Sequence, residues 1–254
     1  MNWFESIKTG LLDRGFVQSQ IDPCLFTRGS VAIVLHVDDV IVISKHSKST
    51  QKLITSLKDG TDIDTGQPRK DLRRFVFTDD GSIKTFLGVN VKKQESGYHL
   101  SQPHLIARVL EAVDLPIHKS NSRNTKDTPA TKPLLIKDTN GEKRRLPWNY
   151  RSVVGMLNYL AGSTRLDLAM AVHQVARFCA DPRQSHEKGI MRIARYLQTT
   201  ALFGMTHKLD LKRGIEAHVD ADFTSLWTHE TAFDANSILS RTGYVIFQFS
   251  CPLF

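Results

Sequence analysis

The sequence predicts an α+β fold, and three patterns of apolar residues indicate it. Helical spacing marks the first residues, branched and apolar runs typical of strands follow between residues 24 and 44, and helical spacing returns between residues 150 and 197. A helix that follows a strand hairpin implies a mixed fold. We therefore expect helices and sheets in an α+β arrangement.

The first part of the chain predicts a helix, a group of strands and a second helix. Trp3, Phe4, Ile7 and Leu11 recur at helical spacing before Gly15. The following elements are strands over residues 24–27, 31–37 and 40–44 and a helix over 47–58, with serines available to cap its start. Because both strands of the hairpin at 31–44 are almost wholly apolar, we expect it to be covered on both faces.

The later part predicts a second hairpin, further helices and two more strands. Ser96 and Gly97 mark the hairpin turn, and Ser101 is placed to cap a helix that ends at Leu115-Pro116. Residues 119–148 have little periodicity, three prolines and many basic residues, which predicts a linker. Helices are then expected around 150–160, 168–176 and 190–197, and strands over 215–219 and 244–249.

Composition restricts the class of protein. The net charge of +8 suits a partner with a phosphate backbone, such as RNA or DNA. Three scattered cysteines favour a reducing compartment, and no apolar run approaches the roughly 20 residues that span a bilayer. We expect an intracellular protein, cytoplasmic or nuclear, without membrane association. The histidines lack zinc-site spacing, and no glycine-rich phosphate loop precedes Lys-Ser or Lys-Thr, so neither zinc nor ATPase chemistry is predicted.

Charged residues at three places could carry chemistry. Asp38 and Asp39 lie between two apolar strands, where carboxylates on a rigid turn can hold the divalent ions of nucleotidyl transfer; a solvated turn is the alternative. Asp220 follows a predicted strand, and its spacing with Asp222 favours ordinary strand-end acids. A basic stripe on one face of a predicted helix comprises Lys188, Arg192 and Arg195. This stripe either binds along a phosphate backbone or is an ordinary solvated helix face.

Several long segments resemble the reverse transcriptase of copia-type retrotransposon Pol polyproteins. "GFVQSQIDPCLFTRGSVAIVLHVDDVIVIS" looks like the segment that ends in the family's Tyr-Val-Asp-Asp box, with His36 in place of tyrosine, and "TDDGSIKTFLGVNV" with "HLSQPHLIARVL" is similar to its late palm and primer grip. "YRSVVGMLNYLAGSTRLDLAMAVHQVARF" and "HEKGIMRIARYLQTT" resemble the connection to ribonuclease H, with Leu166 where proline is usual. "HVDADF" and "SILSRTGYVIF" resemble the first strands of that ribonuclease H domain.

The resemblance implies templated DNA synthesis with Mg²⁺, in which Asp38 and Asp39 are metal ligands and Asp220 is the first ribonuclease H ligand. We expect a partial palm and thumb-like region at residues 1–115, a basic linker at 116–148, a helical connection at 149–208 and a ribonuclease H-like start at 209–254. The resemblance places a third polymerase carboxylate upstream of Met1 and further hydrolase acids beyond Phe254. A chain cut off at both ends is therefore expected, bound to a template-primer but inactive alone.

Three interpretations of such a chain remain open. In the first, the chain is a relic of a decayed element. In the second, it is a non-catalytic nucleic-acid-binding module whose affinity falls steeply with salt concentration. In the third, it is a subunit that becomes active only together with the missing Pol segments.

Overall fold

The computed structural model describes residues 2–116, 126–130, 135–222 and 241–253. The chain mixes helices and sheets, as the α+β prediction requires, and divides into two compact units, Met1–Ile83 and Lys84–Phe254. The expected region boundaries at residues 115, 148 and 208 stay predictions. Within the described ranges, every helix is too short or too polar to cross a membrane.

The first unit is a four-stranded antiparallel sheet with two helices. Its strands follow the order β1-β2-β3-β4. The elements in chain order are α1 (Trp3–Leu12), β1 (Val17–Gln18), β2 (Leu25–Arg28), β3 (Val31–His36), β4 (Asp39–Ser44) and α2 (Ser47–Asp59). These bounds confirm the two predicted helices and the hairpin between residues 31 and 44.

The core of the first unit lies between its helices and one face of the sheet. Leu11 of α1 and Leu53 of α2 are buried together with Phe26 and Ile33 of the sheet. The helical spacing of α1 and the alternation along β3 place these side chains on facing surfaces. The expectation that a serine caps α2 is wrong, because His46 occupies the cap position without a capping side-chain bond.

The second unit holds the remaining helices and two small sheets. One sheet has the order β5-β6-β7-β8 and the other β11-β10-β9. The strands are β5 (Thr85–Phe86), β6 (Val89–Gln94), β7 (Gly97–Ser101), β8 (Met205–His207), β9 (Ile215–Asp222), β10 (Arg241–Gln248) and β11 (Cys251–Pro252). The helices are α3 (Pro103–Ala112), α4 (Tyr150–Ser163), α5 (Ala169–Ala176) and α6 (Gln184–Thr199), with a short 3-10 helix at Leu166–Leu168.

The helices of this unit share one apolar core. Val109 of α3, Leu157 of α4, Val172 of α5 and Ile193 of α6 are all buried in it. The sequence places α3 correctly but not its cap: Ser101 belongs to β7, and Gln102 stands at the cap position without a capping side-chain bond. The turn of the predicted β6–β7 hairpin is Glu95-Ser96, and Gly97 begins β7.

The last part of the predicted linker is packed against α6. The backbone N–H of Gln184 donates to the carbonyl of Glu142 (3.0 Å), and the Nε of Arg144 lies 3.3 Å from the buried carboxylate of Glu187. His186 is also buried, with its Nδ1 accepting from the Arg183 N–H (3.0 Å) and its Nε2 2.9 Å from the Ile136 carbonyl. Residues 136–148 are thus a docked strap, although their sequence reads as a linker.

Candidate functional site

The β3–β4 hairpin presents two acids at its tip. His36 pairs with Asp39, so Val37 and Asp38 alone turn the chain. Val37 has φ of +52°, whereas Asp38 is not among the residues with positive φ. A positive φ at the first turn position only is the pattern of a type II′ hairpin turn, which matches the twist of the two strands. Positive φ is strained for a β-branched residue such as Val37.

The two faces of this hairpin have different surroundings. Ile33 and Leu35 point into the core and are buried, whereas no residue of β4 is fully buried. Val40 and Ile43 are 43% and 57% exposed, so the expectation of a hairpin covered on both faces is wrong. Apolar residues on both faces of a hairpin are typical of a sheet with two covering layers, but here the outer face of β4 carries Val40 and Ile43 without such a layer within the described unit.

Asp38 and Asp39 are both exposed. They are consecutive residues at the tip end of the β3–β4 ladder, whose register the buried face of β3 determines. Carboxylate oxygens are the donors that Mg²⁺ prefers, and Mg²⁺ is commonly held by one or two carboxylates together with substrate phosphates. The pair therefore fits a magnesium ion in donor type. Within the described part of the chain, no group of three or more acids, histidines or cysteines converges on one point.

Asp220 lies in the second unit, near the end of β9. It pairs across the sheet with Gly243 of β10 and is exposed. This confirms a strand at the predicted place, while the role of Asp220 as a metal ligand stays a prediction. The three-stranded sheet that carries it leaves Ile215 and Val219 largely exposed as well.

The predicted basic stripe lies on α6, but its three residues differ in solvent exposure. Lys188 is exposed, whereas Arg192 and Arg195 are half-buried beside the buried Ile190 and Ile193. The Arg192 Nη2 donates to the Oγ1 of Thr128 at 2.7 Å. The guanidinium of Arg192 is therefore partly engaged within the protein, which leaves Lys188 as the most accessible cation of the three.

A buried arginine that the sequence did not single out organises the end of α6. Arg165 is only 1% exposed; its Nη1 donates to the Thr200 carbonyl and its Nη2 to the Thr200 Oγ1, both at 2.9 Å. Its Nε and Nη2 also donate to the two carboxylate oxygens of Asp167, at 2.9 and 2.8 Å. Tyr196 and Phe203 place their rings 5.4 and 5.8 Å from the guanidinium carbon.

This arginine network forms one wall of a cleft of about 450 Å³, which Thr164, Phe203 and Thr206 also line. Burial raises the pKa of Asp167, but hydrogen bonds from Arg165 and Tyr196 outweigh it and leave this pKa below its usual value. Burial and the bond to Asp167 raise the pKa of the Tyr196 hydroxyl. The network joins the 3-10 helix to the end of α6.

Comparison with known proteins gives the family. A family model described as reverse transcriptase (RNA-dependent DNA polymerase) matches residues 1–132. The Pol polyproteins of transposons RE1 and RE2 of Arabidopsis thaliana are 29% and 28% identical over 99% of this chain. The Pol polyprotein of transposon TNT 1-94 of Nicotiana tabacum is 26% identical over 98% of it.

The chain spans 16% of the length of the RE1 and RE2 polyproteins and 18% of the TNT 1-94 polyprotein. No solved structure matches it significantly. The family model includes the β3–β4 hairpin with Asp38 and Asp39. The chain therefore belongs to the reverse transcriptase family, in the form found in the Pol polyproteins of copia-type transposons.

Proposed function

We propose that this chain is a segment of an RNA-directed DNA polymerase that acts on a primed RNA or DNA template, with Asp38 and Asp39 as ligands of Mg²⁺. One observation carries the proposal: in the family-matched region, two adjacent, exposed carboxylates lie at the tip of a hairpin whose first strand, β3, packs into the core through Ile33 and Leu35. Nucleotidyl transfer needs acids held in this way, on a rigid turn that a primer end can reach.

The chemistry assigns separate tasks to the residues of the hairpin. A magnesium ion held by the hairpin would activate the primer hydroxyl and neutralise charge on the leaving pyrophosphate. Asp38 and Asp39 would hold the ion, and the buried Ile33 and Leu35 fix the register that sets their position. A one-residue slip of β3 would move both apolar side chains to the outer face, so the register is strongly specified.

A complete two-metal site needs more acids than this hairpin carries. Two-metal catalysis requires several carboxylates around ions about 4 Å apart. The hairpin supplies only two carboxylates, those of Asp38 and Asp39. We therefore expect no DNA synthesis by this chain alone and synthesis when another Pol segment supplies a further carboxylate. The relic interpretation predicts no synthesis even then.

The region assignments extend the same proposal. Residues 1–115 form a partial palm with thumb-like elements, 149–208 the helical connection, and 209–254 the start of a ribonuclease H-like domain with Asp220 as its first metal ligand. The antiparallel β9–β10 pair and the position of Asp220 near the end of β9 support the last assignment. The related Pol polyproteins continue well beyond the length of this chain.

The test is primer extension on poly(rA)/oligo(dT) with magnesium and labelled nucleotide. The chain is assayed alone and mixed with the preceding segment of a related Pol polyprotein, each with its Asp38→Ala/Asp39→Ala variant. Asp13→Ala/Asp59→Ala serves as the matched control, because it removes two exposed acids elsewhere in the same unit.

The proposal predicts incorporation only in the mixture, lost by at least 100-fold in the hairpin variant and retained in the control. Incorporation that does not depend on Asp38 and Asp39 would contradict it. An inactive mixture beside an active intact polymerase would favour the relic interpretation.

A second candidate is a non-catalytic nucleic-acid-binding module, favoured by the exposed Lys188 on α6 and by the net charge of +8. Affinity should then fall steeply with salt, and Lys188→Gln should lower the slope of log K against log salt by about 1. Lys212→Gln, an exposed lysine outside α6, is the control and should leave the slope unchanged. Salt-independent binding would exclude this candidate.

A further inference from the structure

Thr128 and Pro129 form a dipeptide that occurs once in the sequence. The chain has nine prolines, and only Pro129 follows a serine or threonine. Thr128 is exposed and belongs to no helix or strand. A hydroxyl in an irregular exposed segment with proline next to it is the kind of acceptor that proline-directed serine/threonine kinases use.

The hydroxyl of Thr128 already contacts an arginine. The Arg192 Nη2 donates to Thr128 Oγ1 at 2.7 Å, and the Oγ1 in turn donates to the Ala130 carbonyl at 3.0 Å. The Nε of Arg192 is buried and has no hydrogen-bond partner among the described residues. Arg192 therefore has one nitrogen at the hydroxyl and a second unpaired donor on the same planar fork, and such forks bind phosphate oxygens in pairs.

We propose that Thr128 is a phosphorylation site for a proline-directed kinase and that Arg192 holds the phosphate. ATP is the co-reactant. The Thr128 Oγ1 forms a bond to the γ-phosphorus, the bond from that phosphorus to the β–γ bridging oxygen breaks, and ADP and a proton leave. The product carries a charge of about −1.5 to −2 near pH 7 and three strong acceptor oxygens.

The phosphate would change the α6 surface in two ways. It adds a charged pair between residues 126–130 and α6, because Arg192 lies on the helix and Thr128 in the segment. It also places negative charge beside the helix face that carries Lys188 and Arg195. Weaker binding of nucleic acid by phosphorylated chain follows from this only if the proposed function holds.

The site is tested with the full chain, labelled ATP and a purified proline-directed kinase, and the modified residue is identified by mass spectrometry. Incorporation at Thr128 should be lost in Thr128→Ala and fall at least tenfold in Pro129→Ala, while Thr139→Ala, a threonine without a following proline, leaves it unchanged. Absence of label at Thr128, or equal labelling of Pro129→Ala, would overturn the proposal.

The role of Arg192 is tested by ³¹P NMR titration of the phosphorylated chain. The guanidinium should stabilise the dianion and lower the second phosphate pKa by about 0.7 relative to a phosphorylated peptide of residues 124–133. Arg192→Gln should remove this difference and Arg192→Lys, which keeps the charge, should retain most of it. An equal pKa in the wild type and Arg192→Gln would overturn the assignment of Arg192. Neither readout depends on DNA synthesis, so this proposal and the proposed function fail separately.

Discussion

Asp39 lies directly opposite His36 across the β3–β4 ladder, so that Val37 and Asp38 alone make the turn. The same ladder pairs Ile33 with Val42 and Leu35 with Val40, and its core side is buried at Ile33 and Leu35. Because the side-chain period of a strand is two, the buried face also fixes which residues reach the tip. The position of the two acids is thus a consequence of the core of the first unit.

Val37 holds strain that glycine should release. Its φ of +52° is a conformation that β-branched residues avoid, and such strain costs about 1–3 kcal/mol. Val37→Gly should therefore raise the free energy of unfolding by about 1 kcal/mol, after the entropic cost of glycine. Urea denaturation measures the change. Val40→Gly, in the adjoining strand, is the control and should lower stability; equal losses in both variants would contradict the strain.

Arg165 should be among the most important polar residues for stability. It is buried, and its removal takes away all its hydrogen bonds to Thr200 and Asp167. The Thr200 carbonyl then keeps only the Phe203 N–H as a donor, and the Asp167 carboxylate keeps the Tyr196 hydroxyl as its side-chain donor. Arg165→Leu should cost about 3 kcal/mol of unfolding free energy. Arg145→Leu removes an arginine that also has an acidic partner but is 68% exposed, and should change stability by less than about 0.5 kcal/mol. Similar costs for the two variants would exclude a special role for Arg165.

Asp62 should make stability depend on pH at the acidic end. Backbone N–H groups of Thr65 and Asp64 donate to its carboxylate and lower its pKa from 3.8 to about 2. Because the pKa is lower in the folded chain, the contribution is fully present above about pH 4 and is lost as the pH falls towards 2. Carboxyl NMR titration measures the pKa, and Asp62→Asn should flatten the fall in stability between these pH values. Parallel acid profiles of the variant and the wild type would show that Asp62 does not contribute.

Gly204 should not tolerate a side chain. A Cβ at this position would lie 2.0 Å from the Leu100 carbonyl oxygen, which belongs to the strand that pairs with β8. Gly204→Ala should cost about 1–3 kcal/mol and weaken the β7–β8 pairing, visible as faster amide exchange. At Gly155 of α4 a Cβ meets nothing within 4 Å, so Gly155→Ala should be stabilising by about 0.5–1 kcal/mol. A Gly204→Ala variant as stable as Gly155→Ala would contradict the close approach of Gly204 to the Leu100 carbonyl.

The sequence predicts the local elements of this chain well. The hairpin between residues 31 and 44 and helices α1, α2 and α6 lie where periodicity places them, because a repeated apolar pattern determines which face can be buried. The tip acids are found in the same way, since Asp38 and Asp39 interrupt two apolar runs. The assignment to reverse transcriptases, made from motifs, is confirmed by the family match.

The long-range contacts could not be predicted. Leu100 pairs with Met205 across more than a hundred intervening residues, and no local pattern specifies that partner. From the sequence alone Arg165 would be placed at the surface, because an arginine is buried only when it has partners. Its partners are Thr200, which is distant in sequence, and Asp167. The strap over α6 is likewise set by His186 and Glu187, whose partners lie in a segment without periodicity.

The most direct test of the Asp38–Asp39 assignment is manganese-induced broadening of amide signals in the ¹⁵N-labelled chain, with Mn²⁺ in place of Mg²⁺. We expect that the amides of Val37 to Val40 lose intensity at the lowest Mn²⁺ concentration and that Asp38→Asn/Asp39→Asn abolishes this loss. Broadening that begins elsewhere, for example around Asp62 and Asp64, or that persists unchanged at the hairpin in the variant, would contradict a metal site at these two residues.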